Sequence, residues 1–328
     1  MSNQNQTQNS VQGRHNVIID CDPGHDDVFA IGLAASFCNI LGITSVVGNS
    51  IIENTTTNAL IAADVFGLQN VPVLMGAKTP LSGNVDHVTQ AHGASGLDGP
   101  ARRTPRTKLD NRDAVDFLVE TCRSNEGIWI IAIGPLTNVA LAIRADRTIV
   151  NKIAGISLMG GSTTHGNVTA AAEYNIWFDP QAASEVFDSG ARIKMCGLDL
   201  TDQLTVTGKF ASELKAISTD ASQFCAELID YYQGYAAKIV GVTGPDALLV
   251  GAPLHDPCAV LALTHPELFT SERMGVKVET TGTHTLGMTL ADTRPWENHS
   301  DSVIEVMRTI EANEARQIIV NSFKNAKG

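Results

Sequence analysis

Four carboxylates crowd into the segment IIDCDPGHDD over residues 18–27: Asp20, Asp22, Asp26 and Asp27. Ionised carboxylates at that spacing repel one another, and their pKa values rise unless a cation compensates them. Hard oxygen donors of this kind select Ca2+ or Mg2+ over softer metals. A local reading stands beside that one: Asp26 or Asp27 caps a helix whose N-terminal dipole favours an acid. Capping accounts for one or two of the acids but not for the set. Far downstream, GAPLHDPCAV over 251–260 places His255 beside Asp256 and Pro257. Asp-Pro is a sound N-cap and first-turn pair. The chemical alternative makes Asp256 a further oxygen ligand and His255 a proton donor, because imidazole titrates near neutrality. Between these segments, LMGG is followed by a polar stretch that holds Asn167, Glu173 and Asn175. Two amides and one acid suit sugar hydroxyls, which both donate and accept, although an ordinary polar loop has the same look. Asn49 in VVGNS and His92 in HGASGLDGP carry weaker signals of the same sort.

These residues need a frame that brings distant segments together, and the chain predicts one. NVIID (16–20) reads as a buried strand and DDVFAIGLAASF (26–37) as a helix. ILGITSVVGN (40–49), VPVLMG (71–76), GIWIIAIG (127–134), GISLMGG (155–161) and ARIKMCGLDL (191–200) read as further strands. Helical patterns at 53–67, with Gly67 as the stop, and at 112–124 and 135–145 lie between them. This alternation predicts an open, mostly parallel α/β sheet with helices on both faces. In such sheets ligands bind beyond the carboxyl ends of the strands, where the acidic turn falls. The stretch Lys78 to Arg112, rich in Gly, Pro and His, predicts a long functional loop. From Lys209 to Leu249 the pattern is helical and then broken by GVTGP. DPCAVLALTHPELF reads as a helix, MGVKVET, TLGMTLAD and SVIEVMRTI as strands, and EANEARQIIVNSF as a closing helix. Residues 1–15 read as a polar, disordered leader, and 16–328 as one α/β domain.

Composition narrows the ligand. The 328 residues are 43% hydrophobic, enough for a large core, and carry a formal net charge of −12. A surface of that sign repels phosphate backbones, and its cations are not clustered, so neither a nucleic-acid polymer nor an anionic membrane is expected as a partner. No apolar run is long enough to span a bilayer. The six cysteines are scattered without a C-x-x-C pair, which predicts free thiols and a reduced, cytoplasmic setting.

Taken together, D-x-D-x-G-x-D-D at 20–27, VVGN, GPLTN at 134–138, LMGG, the Asn167–Glu173–Asn175 spacing and LHDP resemble the nucleoside hydrolase family, in its inosine- and uridine-accepting branch. The resemblance runs from about His15 to Phe323. It implies a Rossmann-like core, a bound Ca2+ and hydrolysis of the N-glycosidic bond of ribonucleosides to ribose and free base. It implies Asp22, Asp27, Asp256 and the backbone carbonyl of Ile133 as metal ligands. It implies Asp26, Asn49, Met159 (through its backbone), Asn167, Glu173 and Asn175 as the ribose-binding set. Asp22 resembles the general base that activates water, His255 the acid that protonates the leaving base, and His92 a second pocket histidine. A homo-oligomer, tetramer or dimer, and a place in purine and pyrimidine salvage follow from the same resemblance. Tyr235 to Leu249 departs from the family's pattern, which leaves the base contacts and the purine or pyrimidine preference open. Two other readings remain: a non-catalytic nucleoside- or ribose-binding protein, and a Mg2+-dependent phosphohydrolase with an aspartyl nucleophile. The second leaves Asp26, Asp27, His255 and Asp256 unexplained.

Overall fold

The computed structural model describes residues 13–83 and 91–324, so most of the expected leader lies outside the described residues. β1 (Asn16–Cys21) forms because a short apolar run, rich in β-branched residues, buries both of its faces. Val17, Ile19 and Cys21 enter one hydrophobic core and Ile18 the other. Each such side chain, fully buried, contributes about 1.5–3 kcal/mol. β2 (Asn39–Ser45), β3 (Val73–Met75), β5 (Trp129–Ala132), β6 (Gly155–Met159) and β7 (Ile193–Cys196) are built on similar runs, whereas β4 (Leu109–Asp110) is a half-buried two-residue strand at the sheet's edge. Helices His25–Phe37, Ile52–Val65, Ala114–Ser124 and Thr137–Ala145 lie among them in the chain.

β8 (Thr205–Val206) and β9 (Ala252–Pro253) pair with each other, apart from the main sheet. β10 (Phe269–Arg273) is followed by the separate hairpin of β11 (Val276–Val278) and β12 (Thr289–Ala291), and then by β13 (Ile304–Ile310). The nine-stranded sheet has the order β10-β13-β7-β6-β5-β1-β2-β3-β4. All its pairs are parallel except β10 with β13. The order runs outward from β1 in both directions: β2 pairs on one side and β5 on the other. That reversal opens a crevice at the carboxyl ends of β1 and β5, the place where a sheet of this kind holds its ligand.

The expected doubly covered parallel sheet is therefore present, with corrections in detail. The run 191–200 is a strand only over Ile193–Cys196 and then turns into the short helix Leu198–Thr201. The run 40–49 leaves the sheet after Ser45, which frees Val46 to Asn49 to cross the crevice. The helix after His255 ends at Thr264, and the chain re-enters the sheet as β10. The three strands expected over 274–310 are present; β13 joins the main sheet, while β11 and β12 pair as a hairpin outside it. Tyr174 and Asn175, at the end of the polar stretch, open helix Tyr174–Phe178, which helix Pro180–Phe187 follows. All six cysteines are free and buried. Among the described residues no helix is long and apolar enough to cross a membrane.

Candidate active site

The acidic turn lies directly beyond β1, and its local structure resolves the capping question. Gly24, not Asp26 or Asp27, occupies the N-cap of helix His25–Phe37. Asp27 sits three residues into that helix and reaches back: its Oδ2 accepts the Gly24 N–H at 2.8 Å and its Oδ1 the Asp22 N–H at 3.2 Å. One acid thus closes the helix end and also turns its carboxylate to the crevice. Asp256 precedes Pro257 at the N-cap of helix Pro257–Thr264, yet its side chain makes no capping hydrogen bond. It pairs with the Asp27 carboxylate instead. Residues 27 and 256 meet although 229 positions of chain separate them.

The tightest carboxylate group is Asp26, Asp27 and Asp256, whose ligand oxygens all lie within 4.8 Å of one another, all three residues buried. Asp22 stands against this group. Its Oδ2 accepts the Asn49 N–H at 2.6 Å, while its Oδ1 is buried with no partner. A Cβ at Gly48 would come within 2.0 Å of Asp22 Oδ2, and one at Gly134 within 2.5 Å of Oδ1, so two glycines form the slot for this carboxylate. Burial, then the charge of Asp27, pushes Asp22 well above the usual carboxylate range. Burial, then Asp26, raises Asp27 to about 7. Burial, then Asp26, Asp27 and Asp22, drives Asp256 in the same direction. An unpartnered buried oxygen beside converging acids that burial and mutual charge keep from ionising is an arrangement a hard cation would fit.

Asp20 does not join them. β1 turns it toward β2, where it accepts from Thr44 Oγ1 at 2.5 Å and Asn138 Nδ2 at 2.8 Å; burial lifts it to about 6. Asn138 also donates to the Ser45 carbonyl and accepts from the Ala77 N–H, which ties the ends of three strands together. The GPLTN turn is thereby structural at Asn138 and leaves the Ile133 carbonyl at the crevice.

Above the acids opens a cavity of about 250 Å3. Every other residue singled out as a substrate contact or acid lines it: Asp26, Asn49, His92, Met159, Asn167, Glu173, Asn175 and His255, with Ile133 and Asp256. Asn175 Nδ2 donates to the carbonyls of Ile133 at 3.3 Å and Met159 at 3.1 Å, joining the tips of β5 and β6. Glu173 accepts from the N–H groups of Gly161, Asn175 and Ile176, and burial raises it to about 7. Asn167 Oδ1 accepts the Tyr174 N–H at 3.0 Å. The amides and acids are thus held by the backbone before any ligand arrives.

The opposite wall is aromatic, and most of it escaped sequence reading. His25 stacks on His92, Tyr231 and Tyr232, with ring centroids 5.1–5.5 Å apart. Its Nε2 donates to the Asp98 carbonyl at 2.8 Å, and its Nδ1 lies 2.9 Å from His92 Nδ1. Burial holds His25 down to about 3 and His92 to about 4, so both rings are neutral near pH 7. Tyr174, Tyr232 and Tyr235 complete the lining, with Ala91 and Val168. Tyr231 and Tyr232 lie in helix Asp220–Ile239, so paired aromatics on a helix leading into the broken 235–249 segment were the available signal. Residues 84–90 of the long loop lie outside the described part, but its flanks deliver His92 and Asp98 to this wall.

Comparison with known proteins agrees with this architecture. A family model described as inosine-uridine preferring nucleoside hydrolase matches residues 17–317. The pyrimidine-specific ribonucleoside hydrolase RihA of Photobacterium profundum is 40% identical over 279 residues, covering 84% of this chain and 88% of its own. The same-named protein of Escherichia coli O81 is 41% identical with equal coverage. Among solved structures, a purine-preferring ribonucleoside hydrolase from Gardnerella vaginalis superposes with a TM-score of 0.85 at 30% identity, over 94% of this chain and 99% of its own. A plant nucleoside hydrolase gives 0.86 at 29% identity, over 95% and 100%. With its sheet order, its paired distant acids and these matches in agreement, the chain belongs to the inosine-uridine preferring nucleoside hydrolase family.

Proposed function

We propose that this pocket hydrolyses the N-glycosidic bond of ribonucleosides of the inosine and uridine type, releasing ribose and free base, with Ca2+ as its cofactor. The observation that carries the reading is the convergence of Asp22, Asp26 and Asp27 with Asp256 beneath a wall of amides and one acid. Asp22, Asp27, Asp256 and the Ile133 carbonyl would hold the cation, and the partnerless Asp22 Oδ1 supports Asp22 in that set. Bound there, Ca2+ would supply the positive charge that lets the acids coexist ionised and an affinity for hard oxygens.

The chain's own groups perform the rest. Asp26, Asn49, Asn167, Glu173, Asn175 and the Met159 carbonyl bind the ribose hydroxyls, offering donors and acceptors already held in place. Cleavage passes through a sugar with oxocarbenium character, which the negative floor stabilises. Asp22, buried beside the proposed cation site, takes the proton of the attacking water. His255, on the cavity wall next to Asp256, delivers a proton to the departing base nitrogen. The neutral rings of His92 and Tyr232 offer the base a stacking face. Family membership alone supports the wider reading of a cytoplasmic salvage enzyme assembled as a homo-oligomer.

The test is free-base release from the common ribonucleosides, with and without a chelator. Cation-dependent release is the expected result, and the preferred base emerges from the same panel, since the relatives above include both pyrimidine-specific and purine-preferring enzymes. Tight binding of intact nucleoside without turnover would leave a binding protein instead.

A further inference from the structure

We infer that Thr201 is a positioning residue for His255, holding its ring through Nδ1 so that Nε2 faces the leaving base. The inference rests on the proton-donor role proposed above for His255. Thr201 Oγ1 lies 2.7 Å from His255 Nδ1, and Thr201 is wholly buried. Its backbone is spent on the turn of helix Leu198–Thr201: the N–H donates to the Gly197 carbonyl, and its own carbonyl accepts from the Leu204 N–H. Among the described residues the hydroxyl has one partner, the imidazole nitrogen.

The two residues are 54 positions apart and are clamped together. β8 and β9 pair Thr205 with Pro253 and Val206 with Ala252, and the Leu254 N–H donates to the Leu204 carbonyl at 2.8 Å. The clamp ends just short of both residues, so neither can drift without breaking it.

A ring that gives a proton from Nε2 carries hydrogen on both nitrogens beforehand and keeps the one on Nδ1 afterwards. The Thr201 hydroxyl can accept from Nδ1 in both states, and because it rotates it can donate to Nδ1 when that nitrogen is bare, so the pairing holds throughout the transfer. An apolar neighbour or a fixed donor could not arrange that. A valine would preserve the shape and abolish the pairing, leaving the ring free to rotate.

The experiment compares Thr201→Val, Thr201→Ser and His255→Ala on a nucleoside and on 4-nitrophenyl riboside, whose leaving group departs without protonation. Acid catalysis contributes about 10²–10⁴-fold. Thr201→Val is expected to lose at least about tenfold of that in kcat on inosine or uridine while staying within about twofold on the nitrophenyl substrate, and Thr201→Ser to restore the nucleoside rate. Nitrogen-15 spectra of the His255 ring should show Nδ1 hydrogen-bonded in the parent and released in Thr201→Val. Equal losses on both substrates, no loss on either, or an Nδ1 signal unchanged by Thr201→Val would overturn the assignment. If His255→Ala is itself unselective, the proton-donor reading has failed; if it is selective while Thr201→Val is not, only the role of Thr201 has failed.

Discussion

Removing the cation should make this protein lose stability as pH rises, and the amount follows from Asp27. Its folded carboxyl titrates at about 7 against an ordinary 3.8, with burial as the main cause and Asp26 as the second. A carboxyl raised on folding favours the folded state only while protonated. Its contribution is intact below the unfolded pKa and is lost as pH climbs through the folded one. At about 1.4 kcal/mol per unit, the loss is near 2 kcal/mol at pH 5 and about 4 kcal/mol from pH 7 upward. Asp22 and Asp256 push the same way. For a chain of 328 residues, 4 kcal/mol corresponds to a shift of about 6 °C in Tm. The assay is thermal unfolding in chelator and in excess Ca2+ at matched pH, taking the difference so that remote titrations cancel. The gap should widen from pH 5 to pH 8. Asp27→Asn in chelator should flatten that rise and melt higher than the parent at pH 8. A gap independent of pH, or an Asn variant that tracks the parent in chelator, refutes the reasoning.

His255→Ala should slow inosine or uridine cleavage by about 10²–10⁴-fold while sparing a substrate with a good leaving group; steady-state kinetics on the two substrate kinds checks it. Gly24→Ala would set a Cβ 2.7 Å from the His92 ring. Overpacking of this kind costs about 1–3 kcal/mol. The ring should be displaced from its stack, raising KM for nucleosides several-fold, with cation affinity retained in a calorimetric titration.

The acids of the first turn were legible because the sequence writes them side by side at a strand end. Asp256 was legible only in part: a cap and a ligand share the same Asp-Pro spelling, and it took the missing capping bond to separate them. Asp20 was grouped with the other acids because proximity in sequence hides the facing of strand residues. In space it serves Thr44 and Asn138. The ring stack of His25, His92, Tyr231 and Tyr232 draws on three segments and has no periodic trace in the chain. β10 passed unread because FTSER is a largely exposed strand at the sheet's edge, without the apolar alternation that marks a half-buried one. The two helices over 174–187 were missed although Asp179-Pro180 spells a cap and first-turn pair, and Asp179 does cap there, accepting from the Ala182 N–H.

The position of β1 has a consequence for how the molecule is made. The strand that carries the acidic turn is the earliest described strand to be synthesised, yet it ends in the middle of the sheet, and β5 can flank it only after a further hundred residues have emerged. The fourth acid arrives later still, with helix Pro257–Thr264. A nascent chain cut off before that helix holds three mutually repelling carboxylates and lacks the partner that closes their cage. If the proposed cation site is right, capture of the ion waits for residue 256 to emerge, and a ribosome-stalled fragment ending near residue 250 should retain none of it.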